Sequence, residues 1–136
     1  YLIEFERQAS VNALVEQLAG DFRYPEYLVS AKLRWTGDRW DASLGANFTS
    51  SYLDDPTPRT LAAAGYAPGT VVEVDSWTIF NANLGYDMTD DLRLQLNIRN
   101  LLDEEPPLVL GSSANVDHIN HDTMGRFVTV RVTQSF

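Results

Sequence analysis

Leu92-Arg93-Leu94-Gln95-Leu96-Asn97-Ile98 alternates apolar and polar residues without a break, a period of two that a helix cannot produce. It predicts a strand with one apolar and one polar face. Val128, Val130, Val132 and Phe136 alternate in the same way with Thr129, Arg131, Thr133 and Ser135, and Gln134 is the one polar residue in the apolar phase. A final strand is therefore expected to reach the last residue. Upstream, Phe80, Ala82, Leu84, Tyr86 and Met88 share a phase, and a three-residue loop over 89–91 aligns Met88 with Leu92 and Leu84 with Leu96. A two-residue loop there would not.

A second hairpin is expected around Gly37-Asp38, where Val29, Ala31, Leu33 and Trp35 precede the turn and Trp40, Ala42, Leu44, Ala46 and Phe48 follow it. A two-residue turn at Gly37-Asp38 pairs Trp35 with Trp40 and Leu33 with Ala42, which brings both apolar sets to one face. A slip of one residue would send them to opposite faces. With a further strand over 1–8, six antiparallel strands are expected. Tight links at Gly37-Asp38 and 89–91 alternate with long ones at 9–23, 53–75 and 103–124, so all tight turns fall at one end of the sheet and all long loops at the other. Within the loops, Thr57-Pro58 before 61–64 and Gly65 reads as cap, first turn, short helix and stop, and Val11, Leu14, Val15 and Leu18 also have helical spacing.

Composition narrows the function classes. Ten basic against nineteen acidic residues give a formal charge of -9 over 136 residues, which argues against nucleic acid as a partner. The absence of cysteine removes disulfide scaffolds, cysteine-based zinc modules and thiol nucleophiles. No apolar run approaches the roughly 20 residues of a membrane-spanning helix. The chain opens on Tyr1 without a signal-peptide pattern, and the expectation is a piece of something longer.

Alternation by itself fits two architectures: a soluble sandwich with its apolar phase in a core, or a membrane barrel with that phase facing lipid and the polar phase facing a lumen. Strands of about ten residues match a tilted bilayer crossing better than the five or six usual in globular sheets. Aromatics at both strand ends point the same way: Trp35, Trp40, Tyr86 and Phe136 near the tight turns, and Tyr24, Tyr27, Tyr52, Trp77 and Phe80 near the long loops, as two interfacial girdles.

Asn100-Leu101-Leu102-Asp103-Glu104-Glu105-Pro106-Pro107, followed by Gly125-Arg126-Phe127-Val128 and a terminal Phe136, resembles the C-terminal end of TonB-dependent outer-membrane receptors. Leu102 stands where that family usually has Phe, and Gln134 where it often has an apolar residue. Tyr24-Pro25 and Val74-Asp75-Ser76-Trp77 also look like the family's strand starts. The resemblance implies an all-β antiparallel transmembrane barrel of about 22 strands with short periplasmic turns and long extracellular loops. Residues 1–136 would form the C-terminal part of the barrel domain, about its last six strands, and the N-terminal plug is not in this chain. It further implies a bacterial outer-membrane transporter that imports a scarce nutrient, a siderophore–iron complex or an oligosaccharide, into the periplasm. Implied partners are the TonB complex acting through the plug, outer-membrane lipid and lipopolysaccharide, and the barrel-assembly machinery. The last would read Val128, Val130, Val132 and Phe136 as an assembly signal.

Candidate ligand contacts are Tyr66, Trp77 and Asn115, by stacking or hydrogen bonding to a sugar, and Asp117, His118, His121 and Asp122 in the last long loop. His with carboxylate could also ligate a divalent metal or iron chelate, but the spacing matches no closed site, and no metal or cofactor is assigned. Asp54-Asp55 and Asp103-Glu104-Glu105 could bind calcium or meet the lipopolysaccharide cation layer, although such runs are more often only solvated. Ser112 and Ser113 lack a nucleophile elbow, phosphate-cradling loops are missing, and no catalytic residue is assigned. The competing reading is a soluble antiparallel sandwich that binds ligand through its long loops.

Overall fold

The computed structural model describes the backbone of Glu6–Arg7 and Glu16–Gln17, together with residues 18–136. Its main element is a five-stranded sheet of β3 (Leu28–Thr36), β4 (Trp40–Thr49), β7 (Trp77–Asp87), β8 (Leu92–Arg99) and β9 (Phe127–Gln134), paired in that order as an up-and-down meander. Two two-residue pairs accompany it, β1 (Glu6–Arg7) with β2 (Glu16–Gln17) and β5 (Tyr52–Leu53) with β6 (Glu73–Val74). One short helix, α1 (Pro58–Ala63), completes the described elements.

The pairing of β8 follows the sequence expectation: Leu84 lies opposite Leu96, and the Met88 N–H donates to the Leu92 carbonyl at 2.9 Å across the 89–91 loop. Across β9, Leu96 faces Val130 and Leu92 faces Gln134. β9 stops at Gln134, short of the expected end at Phe136, because its partner β8 begins at Leu92. Only one bond beyond it, Ser135 N–H to the Asp91 carbonyl at 2.9 Å, continues the ladder.

The first hairpin is offset from expectation. The Gly37 N–H donates to the Trp40 carbonyl at 2.7 Å, so the turn residues are Asp38 and Arg39, not Gly37 and Asp38. At the far end of the same strands, the Ser50 N–H donates to the Tyr27 carbonyl at 2.9 Å, which is the same offset and leaves no room for a bulge between. Ser30 Oγ donates to Asn47 Oδ1 at 2.8 Å across this register. Trp35 thus lies opposite Ala42, not Trp40. The shift is two residues, and a shift of two preserves which side chains share a face.

Bonds from Asp87 N–H to the Arg39 carbonyl (2.7 Å) and from Asn83 Nδ2 to Ser43 Oγ (3.2 Å) set β4 against β7. The four registers place Trp35, Ala42, Leu84, Leu96 and Val130 in one row on one face, and Arg34, Ser43, Asn83, Asn97 and Thr129 in one row on the other. The apolar face is open: Leu33, Leu84, Val130 and Val132 are 48–64% exposed. A sandwich needs that face covered by a second sheet, and among the described residues none covers it.

Contacts divide the chain into two compact units. One comprises the described residues up to Val29, with Phe48–Trp77 and Pro106–Thr123; the other comprises Ser30–Asn47, Thr78–Glu105 and Met124–Phe136. The first therefore gathers the three long connections, and the second holds most of the sheet. The helix in the first unit forms as its local sequence dictates: Thr57 Oγ1 accepts the Thr60 N–H, Pro58 occupies the first turn, and Gly65 at φ +84° ends it with the Tyr66 N–H on the Leu61 carbonyl. Leu61 is its buried residue. The helical spacing of Val11, Leu14, Val15 and Leu18 lies mostly outside the described residues, but Glu16–Gln17 is extended, not helical. The expected strand over 1–8 likewise lies mostly outside them, and its described part, Glu6–Arg7, pairs with Glu16–Gln17. No described helix is long and apolar enough to cross a membrane.

The register makes a direct prediction in this cysteine-free chain. A Ser30→Cys/Asn47→Cys pair in the intact protein should crosslink readily under mild oxidation, whereas Ser30→Cys/Gly45→Cys, which the two-residue-shifted register would join, should stay reduced. Non-reducing mass spectrometry of the bridged peptides distinguishes them.

Candidate functional site

The polar face of the sheet unit carries an ordered set of charges and amides. Arg93 Nη1 donates to Asp87 Oδ1 at 2.7 Å and Arg93 Nη2 to Asp41 Oδ2 at 2.6 Å, so one guanidinium ties β8 to β7 and to β4 beyond it. This reach needs Gly85, because a Cβ there would run into both Arg93 Nη2 and Asp41 Oδ2. Arg34 approaches Asp41 from β3 at 4.0 Å. Next to this lattice, Lys32, Ser43, Asn83, Gln95 and Asn97 line a depression of about 240 Å³. These are hydrogen-bonding groups of both kinds on a wall that alternates with an apolar exterior.

At the end of β8, the residues of the terminal motif form a clasp. Asn100, at φ 49°, donates through Nδ2 to the Glu104 carbonyl (2.8 Å) and accepts the Glu104 N–H on Oδ1 (2.9 Å), while its own N–H donates to Asn81 Oδ1 (3.1 Å). Asp103 Oδ1 accepts the Arg126 N–H at 2.7 Å, and its other oxygen lies 3.6 Å from Arg126 Nη2. Asp103 is therefore engaged in joining the two ends of the last long loop, not merely solvated.

The loop unit has a core of Tyr52, Val74 and Val109 with Phe22 packed against it, and inside it lies Asp117 at 0% exposure. A buried carboxylate persists only when its oxygens are satisfied. Here Tyr52 Oη and Asn120 Nδ2 each donate to Oδ2 at 2.8 Å, the Ile119 N–H donates to Oδ1 at 2.9 Å, and Arg23 Nε stands 3.8 Å from Oδ1. Burial acts to raise the Asp117 pKa, but the donors from Asn120, Ile119 and Tyr52 and the Arg23 charge outweigh it and hold the carboxyl below its usual range. Burial first, and the same bond to Asp117 second, push the Tyr52 phenol well above its ordinary value. Asp54 is a second anchor: its oxygens accept the N–H groups of Leu110 (2.6 Å), Gly111 (2.9 Å) and Asp55 (2.9 Å), so it is neither free for a cation nor simply solvated. Gly111 permits that approach, since a Cβ would fall 2.6 Å from the Asp55 carbonyl oxygen.

The sequence candidates separate accordingly. Tyr66, Asn115 and His118 lie at the surface of the loop unit, and Asp122 is half-buried. Trp77, Asp117 and His121 are buried together: the His121 ring stacks on Tyr52 (centroids 6.1 Å, 27°) and meets Trp77 edge-on (5.2 Å, 77°). Tyr52 and Trp77 thus belong to the loop core and not to an interfacial girdle, whereas Trp35, Trp40, Tyr86, Tyr24 and Tyr27 are exposed. No group of three or more metal-ligating side chains occurs among the described residues. Sequence reasoning missed Tyr52, Arg23 and Asn120 as partners of Asp117; the long separations of the first two leave no local pattern to find. A cavity of about 450 Å³ in the same unit is lined by Phe22, Tyr24, Asp55, Pro58, Leu61 and Val71, among others.

An antiparallel meander with one continuous apolar face, one charged and amide-rich face, and long connections gathered at alternate links defines the wall of a β-barrel. Residues 9–101 match the family model described as TonB dependent receptor-like, beta-barrel, and the chain belongs to that family. The matched residues take in β3 to β8, and the terminal motif from Leu102 onward lies beyond them. No curated protein and no solved structure matches the chain. The family is one of outer-membrane receptors and transporters, not an enzyme class.

Two substitutions test the buried carboxylate. Tyr52→Phe removes one charged hydrogen bond and should weaken the loop unit by about 2 kcal/mol; Asp117→Ala, which strands Tyr52 and Asn120, should cost more, about 3 kcal/mol. Amide exchange of 106–123 in the folded receptor measures both. Because the Tyr52 pKa is raised on folding, its share of stability is held below about pH 10 and should fall as pH rises above that value.

Proposed function

We propose that the chain is the C-terminal part of the barrel domain of an outer-membrane receptor that imports a scarce nutrient, a siderophore–iron complex or an oligosaccharide, into the periplasm. Import is driven by the TonB complex acting through a plug domain carried elsewhere in the receptor. The observation that carries this reading is the strictly two-faced sheet: an exposed apolar face suited to lipid, backed by the Arg93–Asp41–Asp87 lattice and amide wall suited to an aqueous, plugged lumen. The loop unit supplies the ligand-facing surface. Tyr66, Asn115, His118 and Asp122 are its contacts, and Trp77, Asp117 and His121 hold the loops behind them in shape. Lipopolysaccharide meets the exposed aromatic rim, and Val128, Val130, Val132 and Phe136 serve the assembly machinery before β9 finds its partner.

Uptake by cells tests it. Cells that carry the intact receptor should accumulate either a radiolabelled iron chelate or a labelled oligosaccharide, and deletion of the receptor or depletion of TonB should each abolish that uptake. Accumulation that persists without TonB, or recovery of the folded receptor from the soluble fraction, would overturn the reading. Within the loops, Tyr66→Ala or His118→Ala should weaken ligand binding about threefold to tenfold, the range for one lost hydrogen bond or stacking contact, with folding unchanged.

A further inference from the structure

His121 is enclosed at 5% exposure, yet neither of its ring nitrogens, nor the neighbouring Trp77 Nε1, has a hydrogen-bond partner among the described residues. Its ring is held by faces and edges alone, stacked on Tyr52 and edge-on to Trp77. Its backbone N–H donates to the Asp117 carbonyl at 2.9 Å, which ties the main chain carrying the ring to that of the buried carboxylate. Such a ring is accommodated only as neutral imidazole. A second proton would bury a cation whose nearest counter-charge, Asp117, already accepts from Tyr52, Asn120 and the Ile119 N–H.

We propose that His121 is an acid-sensitive latch on the long-loop unit: it is locked in place when neutral, and its protonation loosens 106–123 from the Tyr52–Val74 pair. Tyr52 and Trp77 come from separate stretches of the chain, so the ring joins three segments that share no local sequence. The titratable and charged groups around it are Asp117, whose charge acts on the ring, Tyr52 on its face, Arg23 at 3.8 Å from the same carboxylate, and Asp54, which acts on Tyr52; His118 and Asp122 are its neighbours in sequence. Burial lowers the His121 pKa below its ordinary value, with the Asp117 charge opposing. A histidine whose folded pKa is depressed takes up its proton on unfolding. Its contribution is therefore full above the ordinary value of about 6.5 and is lost as pH falls through it. Asp117 remains ionised across that window because its own pKa is held low. The two groups thus titrate at different acidities, and acid reaches His121 before Asp117.

Amide exchange of the intact receptor at pH 7.5 and pH 5.0, corrected for intrinsic rates, decides it. Protection of 106–123 should fall by about tenfold in acid, while protection of β8 holds. His121→Phe keeps the aromatic packing and removes the proton site, and should flatten the dependence. Acid-independent protection in the unsubstituted receptor would overturn the latch whether or not the variant folds, and so would a His121→Phe receptor that still loosens in acid.

Discussion

The parity of a β-strand is the constraint on which this molecule rests. Because successive side chains point to opposite faces, every residue of the meander is committed to one solvent or the other once one residue is. Five strands in mutual register convert that rule into two continuous surfaces, and Leu33, Leu84, Val130 and Val132 stand exposed on one of them, the kind of face that an outer-membrane barrel turns to lipid. On the opposite surface, parity brings Asp41, Asp87 and Arg93 from three strands to a common side, where their charges offset one another.

Parity also explains what was legible beforehand. The faces of β8 and its pairing with β7 could be read from 84–96, since a three-residue loop over 89–91 keeps both apolar sets together where a two-residue loop would not. The first hairpin had two such solutions, differing by two residues, and alternation is blind to that difference. Main-chain geometry at Gly37 and Trp40 chose between them. The helix at Pro58–Ala63 was readable because its cap, proline and terminal glycine are all local.

The loop unit lies at the other extreme. Tyr52 and Asp117 are separated by 65 positions, and no composition or period announces that a phenol will satisfy a carboxylate so far along the chain. Residues that looked like ligand contacts in sequence, Trp77, Asp117 and His121, have the polar and aromatic character of a site because they form a polar core. A long loop that must hold a shape without strands or helices uses buried hydrogen bonds to the same end that the sheet uses its ladder. Asp54 and Asp117, each accepting from three donors, are the two points where that substitution is made.

The clasp of Asn100, Asp103, Glu104 and Arg126 bears on how such a chain can diversify. It binds the two feet of the last long connection to each other, so the pairing of β8 with β9 does not depend on what lies between them. Lengthening a loop already closed at its base costs little, about 0.6 kcal/mol for each doubling of its length. The segment between Glu104 and Gly125 can thus change in length at little cost to the β8–β9 ladder, while its chemistry stays tied to Tyr52 and Asp54 through Asp117, Leu110 and Gly111.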